Sequence, residues 1–405
     1  MAAATVCCIG MAGPASQAAD QASAPIPTVY HADPEHLWNR LHAALFVRVG
    51  TDGRVYGQDR LEPLLWANSK HLLEDRSHER AMALLEEFLI NKGETLIADP
   101  LKRAILQRDL WLIFNSVDGR HNDFAEPKLD QAVAVAAQKR LRGKLAAVIS
   151  RLALSPLQIR NLPDNYVAAV QSGHFAKSFA TEQQDQPYLP ADLFMANGPW
   201  VCVGRTDGRT APQHLREENP FSNSVFLVFL RLPEGGGAAM DYLKNRPPFP
   251  KGTELALVRQ AMLIDTSHRI VPSHLTESVQ IRIIRTPEVP SEFRLSRLQL
   301  FAGRDGGLCR SGNDEQDFKT GFLAHMWDEF EYRSGRSFPD SGLQPMLRCS
   351  ICHTTRFPEF QSGRSGYDRP IYPVSEVPIS QVAAAAIQWK EAQPNWIALR
   401  KMLAE

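Results

Sequence analysis

Apolar residues recur at helical spacing through the first part of the chain. In residues 34–47, Leu37, Leu41, Ala44 and Leu45 share one face, Asp33 can cap, and Pro34 suits the first turn. Residues 77–93 repeat the pattern with Leu84, Leu85, Phe88 and Leu89 inside, Ser77 as the start and Gly93 as the stop. Residues 100–117 bury Ile105, Leu106, Leu110, Ile113 and Phe114. Residues 127–152 form a long Ala-rich helix whose Lys139, Arg140, Arg142 and Lys144 read as a solvated face. Between the first two helices, Thr51-Asp52-Gly53 predicts a short hairpin over 47–56.

The period changes near Gln183. Residues 183–190 are polar and contain two prolines, which suits a linker. β-like runs follow at 200–203, 224–232 and 278–285; in the last, Val279, Ile281 and Ile283 alternate with Gln280 and Arg282. Residues 293–301 read as a continuation, through Phe293, Leu295, Leu298 and Leu300. Residues 254–265 alternate only in part and admit strand or helix. These runs predict an antiparallel sheet, as a sandwich or open barrel. The glycine-rich stretch 303–312 has neither a phosphate-loop nor a dinucleotide pattern and reads as a boundary. Beyond it, Phe318, Phe322, Met326 and Phe330 predict a helix over 315–333, and 380–393 and 394–403 predict two more. The fold class is α+β. After a leader and linker (1–26) come a helical domain (27–182), an antiparallel β-rich domain (183–305) and a small helical C-terminal segment (306–405).

Composition changes this picture little. The chain has 405 residues, 44% hydrophobic and 22% charged, as in ordinary globular proteins. Forty-five basic residues balance 45 acidic ones, which argues against a dedicated nucleic-acid binder. The longest strongly apolar run, 225–230, is too short to span a bilayer. Residues 1–19 are apolar and rich in small residues, ending in Ser-Gln-Ala-Ala, with no Lys or Arg before Arg40. They read as a signal peptide whose basic start lies upstream of Met1, which predicts export and removal of Cys7 and Cys8.

The strongest chemical signal is Cys349-Ser350-Ile351-Cys352-His353. Two thiols three residues apart on one helical turn can straddle a porphyrin edge, and the next residue places an imidazole under the metal. This C-x-x-C-H pattern resembles the c-type cytochromes, over these five residues alone. The resemblance implies covalent haem c, thioethers from Cys349 and Cys352, and His353 as an iron ligand. It also implies export to the periplasm or an equivalent compartment. Zinc is the weaker reading. No second C-x-x-C occurs, and the pairs His31/His36, His36/His42 and His268/His274 lie far upstream.

The iron's second axial position would decide the role. Met402 is the only Met after the motif, and no His follows His353. Met326 is the upstream candidate, although it shares a stripe with three Phe residues and suits a helix core. The expected function is electron transfer, or a haem-dependent redox step, with a redox partner protein or a small oxidant. One rival is a haem enzyme with an open iron site acting on peroxide. Another is a non-haem binding or scaffold protein with a Cys349–Cys352 disulfide. Cys202 and Cys309 are either a cross-link or two separate buried thiols. Asp265, Ser267, His268, Ser273 and His274 invite a hydrolase triad, but no nucleophile-elbow sequence accompanies them.

Overall fold

The helical periodicity resolves into α1 (Leu37–Phe46), α2 (Asp75–Ile90), α3 (Pro100–Ser116) and α4 (Gln131–Leu152). The computed structural model describes residues 26–49, 55–61, 71–73, 75–117, 131–180, 186–205, 223–234, 250–283, 289–311 and 374–405. Local chemistry sets several starts. Asp99 accepts a hydrogen bond from Leu101 N at 2.8 Å and Pro100 fills the first turn of α3. Such a cap is worth about 1 kcal/mol. Two short helices that the periodicity did not predict follow α4. They are α5 (Pro156–Arg160) and α6 (Asn165–Gln171). Ser155 and Gln158 form a reciprocal capping box for α5.

The end of α2 depends on a glycine. The helix stops at Ile90, and Gly93 opens a one-turn 3-10 segment. A Cβ on Gly93 would overlap the Phe88 ring, and the Gly93 carbonyl accepts the Trp38 indole N–H at 2.8 Å. This bond ties α1 to the end of α2.

Strands β1 (Arg48–Val49) and β2 (Val55–Tyr56) pair as the expected small hairpin. The main sheet contains β3 (Val201–Arg205), β4 (Ser224–Arg231), β5 (Glu254–Ile264), β6 (Ile270–Ile283), β7 (Val289–Leu295), β8 (Leu308–Ser311) and β9 (Val374–Glu376). Among the described residues it is seven-stranded and antiparallel, in the order β8-β7-β6-β5-β4-β3-β9. The fold is therefore α+β, as the pattern predicted. Directly paired residues share a face. Val225, Leu227, Phe229, Val258, Ala256, Val279, Ile281 and Phe293 form the face that joins the main core. Helix α3 packs against β5 and α4, and α6 packs against β6. The same core continues from Val29 to Leu403.

Several details differ from the sequence reading. Residues 254–264 are strand, and β5 fails to alternate because almost every residue in it is buried. The strand reading of 293–301 stops at Leu295. Ser296 caps a short helix, α7 (Arg297–Phe301), through Gln299 N at 3.1 Å. The glycine-rich stretch makes a turn at Asp305–Gly307 and returns the chain to the sheet as β8. Residues 374–376 pair with β3. Arg142 is not on a solvated face. It is buried with its guanidinium 4.2 Å from the Phe114 ring centre. Helices α8 (Ile379–Glu391) and α9 (Pro394–Ala404) close the chain as expected, and α8 packs on β4 and β6 while α9 packs on α4. No described helix is long and apolar enough to cross a membrane. The predicted helix over 315–333 lies outside the described residues.

Candidate functional site

An irregularity in the β5–β6 ladder begins the most unusual cluster. Arg259 pairs with Ser278 and Gln260 with Thr276, so Glu277 is an extra residue between the two pairs. A bulge of this kind re-aims a side chain. The Glu277 carboxylate accepts from Arg108 Nε on α3 and from Ser224 Oγ on β4, and lies 3.0 Å from Arg259 Nε on β5. Arg108 also donates to its neighbour Asp109 at 3.2 Å. Asp109 in turn accepts from Arg297 on α7 at 2.6 and 3.0 Å. Arg297 donates onward to the carbonyls of Asp59 and Arg60 at 2.6 and 2.9 Å. One chain of charges thus joins the sheet, α3, α7 and the segment after the hairpin.

This network is sealed. Arg108 is 2% exposed, Glu277 1% and Asp109 0%. Burial by itself would raise the Glu277 carboxyl, but Arg108, Arg259 and the Ser224 hydroxyl outweigh it and hold the group below the usual range. His42, beside it, is pushed down to about 3 by burial and by Arg297. It is therefore a neutral imidazole whose Nε2–H donates to Gln58 O at 3.0 Å. No substrate can reach carboxylates so enclosed. The arrangement clamps elements together and gives them a fixed register.

A second cluster sits at the opposite end of β4 and β5 and is more open. Tyr188 donates to Glu254 at 3.2 Å, and the Trp200 indole donates to Asp192 at 3.0 Å. The half-exposed Arg231 lies between the carboxylates, 3.7 Å from Glu254 and 3.9 Å from Asp192. Burial raises the Glu254 carboxyl, while Arg231 and Tyr188 oppose the rise. Each of these polar side chains has a partner in the cluster.

The residues that the sequence singled out fare differently. Cys349, Cys352, His353 and Met326 lie outside the described residues. Met402 is in the last turn of α9, half-buried at the margin of the core. Among the described residues, no group of three His, Cys, Asp or Glu could hold a metal. The hydrolase grouping dissolves into a hairpin turn. Asp265 accepts from Ser267 N and Arg269 N at 2.8 and 2.9 Å and pairs with the Arg269 guanidinium. Ser273 donates to Ala261 O, and His268 meets Ser150 rather than either nearby serine.

Cys202 and Cys309 are both free thiols. They sit on β3 and β8, five strand spacings apart, which is about 24 Å across a flat sheet. A disulfide needs Cα atoms within about 7 Å. Burial pushes the Cys202 thiol up to about 12. Non-reducing peptide mapping should therefore find no Cys202–Cys309 peptide. Cys202 should resist alkylation until the protein unfolds. A linked pair in folded protein would contradict the sheet order.

The sequence reading missed Glu277, Asp109 and Arg297. A signal for the first half existed: Gln107, Arg108 and Asp109 interrupt an apolar run on α3, and all of residues 104–116 are buried. No family model, no curated protein and no solved structure matches this chain.

Proposed function

We propose that this chain is an exported mono-haem c-type protein that carries out electron transfer or a haem-dependent redox step. One observation carries the reading, the sequence Cys349-Ser350-Ile351-Cys352-His353. The donor set suits the group: two thiols for thioether bonds and one imidazole for the iron. Bound haem would supply a one-electron couple whose potential follows its axial ligands and surroundings. Cys349 and Cys352 would anchor the macrocycle, and His353 would ligate the iron. The small-residue leader at 1–19 supports export.

The second axial position separates carrier from enzyme. Met402 and Met326 are the candidates, and Met402 is half-buried rather than sealed. For a carrier, oxidised haem protein should show the weak sulfur-to-iron band near the red edge of the visible spectrum. Met402→Ala or Met326→Ala, but not both, should abolish that band. A spectrum unchanged in both variants would show that neither Met is the ligand, and would favour the open-site haem enzyme acting on a small oxidant.

A further inference from the structure

The turn before α1 contains two histidines whose roles are set by the backbone. His31 Nδ1 accepts from Asp33 N at 3.1 Å. His36 is the N-cap of α1, and its Nδ1 accepts from Trp38 N at 3.2 Å. The two rings stack, with centres 4.3 Å apart and planes 22° from parallel. An Nδ1 that accepts a hydrogen bond carries no proton, so in each neutral ring the proton is on Nε2. That tautomer is the wrong one for a metal bound through Nε2, since such a ligand keeps its proton on Nδ1 and donates it.

We propose that His31 and His36 form an acid-responsive cap on α1. Protonating either ring turns its Nδ1 from acceptor to donor. The amide of Asp33 or Trp38 then loses its partner, and two positive rings face each other in the stack. Burial, His31 and Lys102 on α3 work against a charge on His36, while Asp33 favours one. The His36 pKa is thus lowered in the folded state. Its stabilising effect is complete above the unfolded value of 6.5 and is lost as pH falls through the folded value.

The opening is local. Asn39 holds the segment through Tyr30 N at 2.9 Å and the carbonyls of His31 and Asp33 at 2.7 Å each. Lys102 grips Tyr30 O at 2.7 Å. None of these contacts uses an imidazole nitrogen. Mild acid therefore releases the Asp33 and Trp38 amides while Tyr30, Asn39 and the carbonyls of His31 and Asp33 remain tethered. The device requires no haem and stands apart from the function proposed above.

Hydrogen exchange of the full chain, corrected for intrinsic rate, tests this at about pH 7.5 and about pH 5. The Asp33 and Trp38 amides, which donate to the two imidazoles, should lose roughly tenfold more protection at the lower pH than amides of β5. His31→Asn and His36→Asn keep a side-chain acceptor at each position but cannot titrate. The double variant should stay protected at both pH values, and each single variant should lose part of the response. The His36 imidazole titration followed by NMR should share its midpoint with the protection loss at Trp38 in the parent protein. Equal protection at both pH values in the parent protein would overturn the proposal. So would an undiminished response in the single or double variants.

Discussion

Glu277→Gln should cost about 3–5 kcal/mol of folding stability, the loss expected when one partner of a buried ion pair is removed. The substitution keeps the shape and removes the charge that faces Arg108 and Arg259. Two buried guanidiniums would then lack their shared carboxylate. The contrast lies on the surface. Glu86 pairs with Lys144, with side chains 46% and 35% exposed, and Glu86→Gln should change stability by about 0–1 kcal/mol. Urea unfolding followed by Trp fluorescence distinguishes the two. Acid adds a second readout. Since the Glu277 carboxyl is held below its ordinary 4.5, its contribution is complete above that value and is lost as pH falls through the folded pKa. The Gln variant should lose that part of the acid sensitivity. Equal, small effects of both substitutions would contradict the clamp.

The helices were legible because their chemistry is local. The helix read over 100–117 is α3, which Asp99 caps and Pro100 opens. The alternation of Val279, Ile281 and Ile283 likewise marks one face of β6. The clamp was not legible, because its partners are distant along the chain. Arg108 and Glu277 are separated by 169 positions, and Asp109 and Arg297 by 188. Glu277 also depends on a bulge, which no two-residue period reveals. Leu298 and Leu300 misled for a different reason. They fit a strand by alternation, but Ser296 accepts the Gln299 amide and starts a helix there. Arg142 misled because a long side chain can turn its charge over an aromatic ring within the core. The Cys349–His353 motif is the reverse case. It stands out as a string of residues, because all five positions are adjacent.

The largest functional effect belongs to that motif. Changing both Cys349 and Cys352 to Ala should abolish covalently bound haem, as read by haem staining after denaturing electrophoresis. His353 would remain able to ligate iron, so any residual haem in that variant should be extractable. His353→Ala leaves both anchors in place. It should retain covalent haem with a changed spin state and potential, because the axial ligand sets the iron's electronics. A disulfide reading predicts otherwise. It expects no haem in the parent protein, no effect from His353, and loss of a small-loop cross-link worth about 2 kcal/mol in the double variant.

Intact-mass analysis of the parent protein, made with a working c-type haem attachment system, addresses the proposal directly. The account predicts a coloured protein whose denatured mass exceeds that of the polypeptide by one haem. The peptide that contains Cys349 and Cys352 should carry the addition. A colourless protein of polypeptide mass, with Cys349 and Cys352 joined to each other, would contradict it.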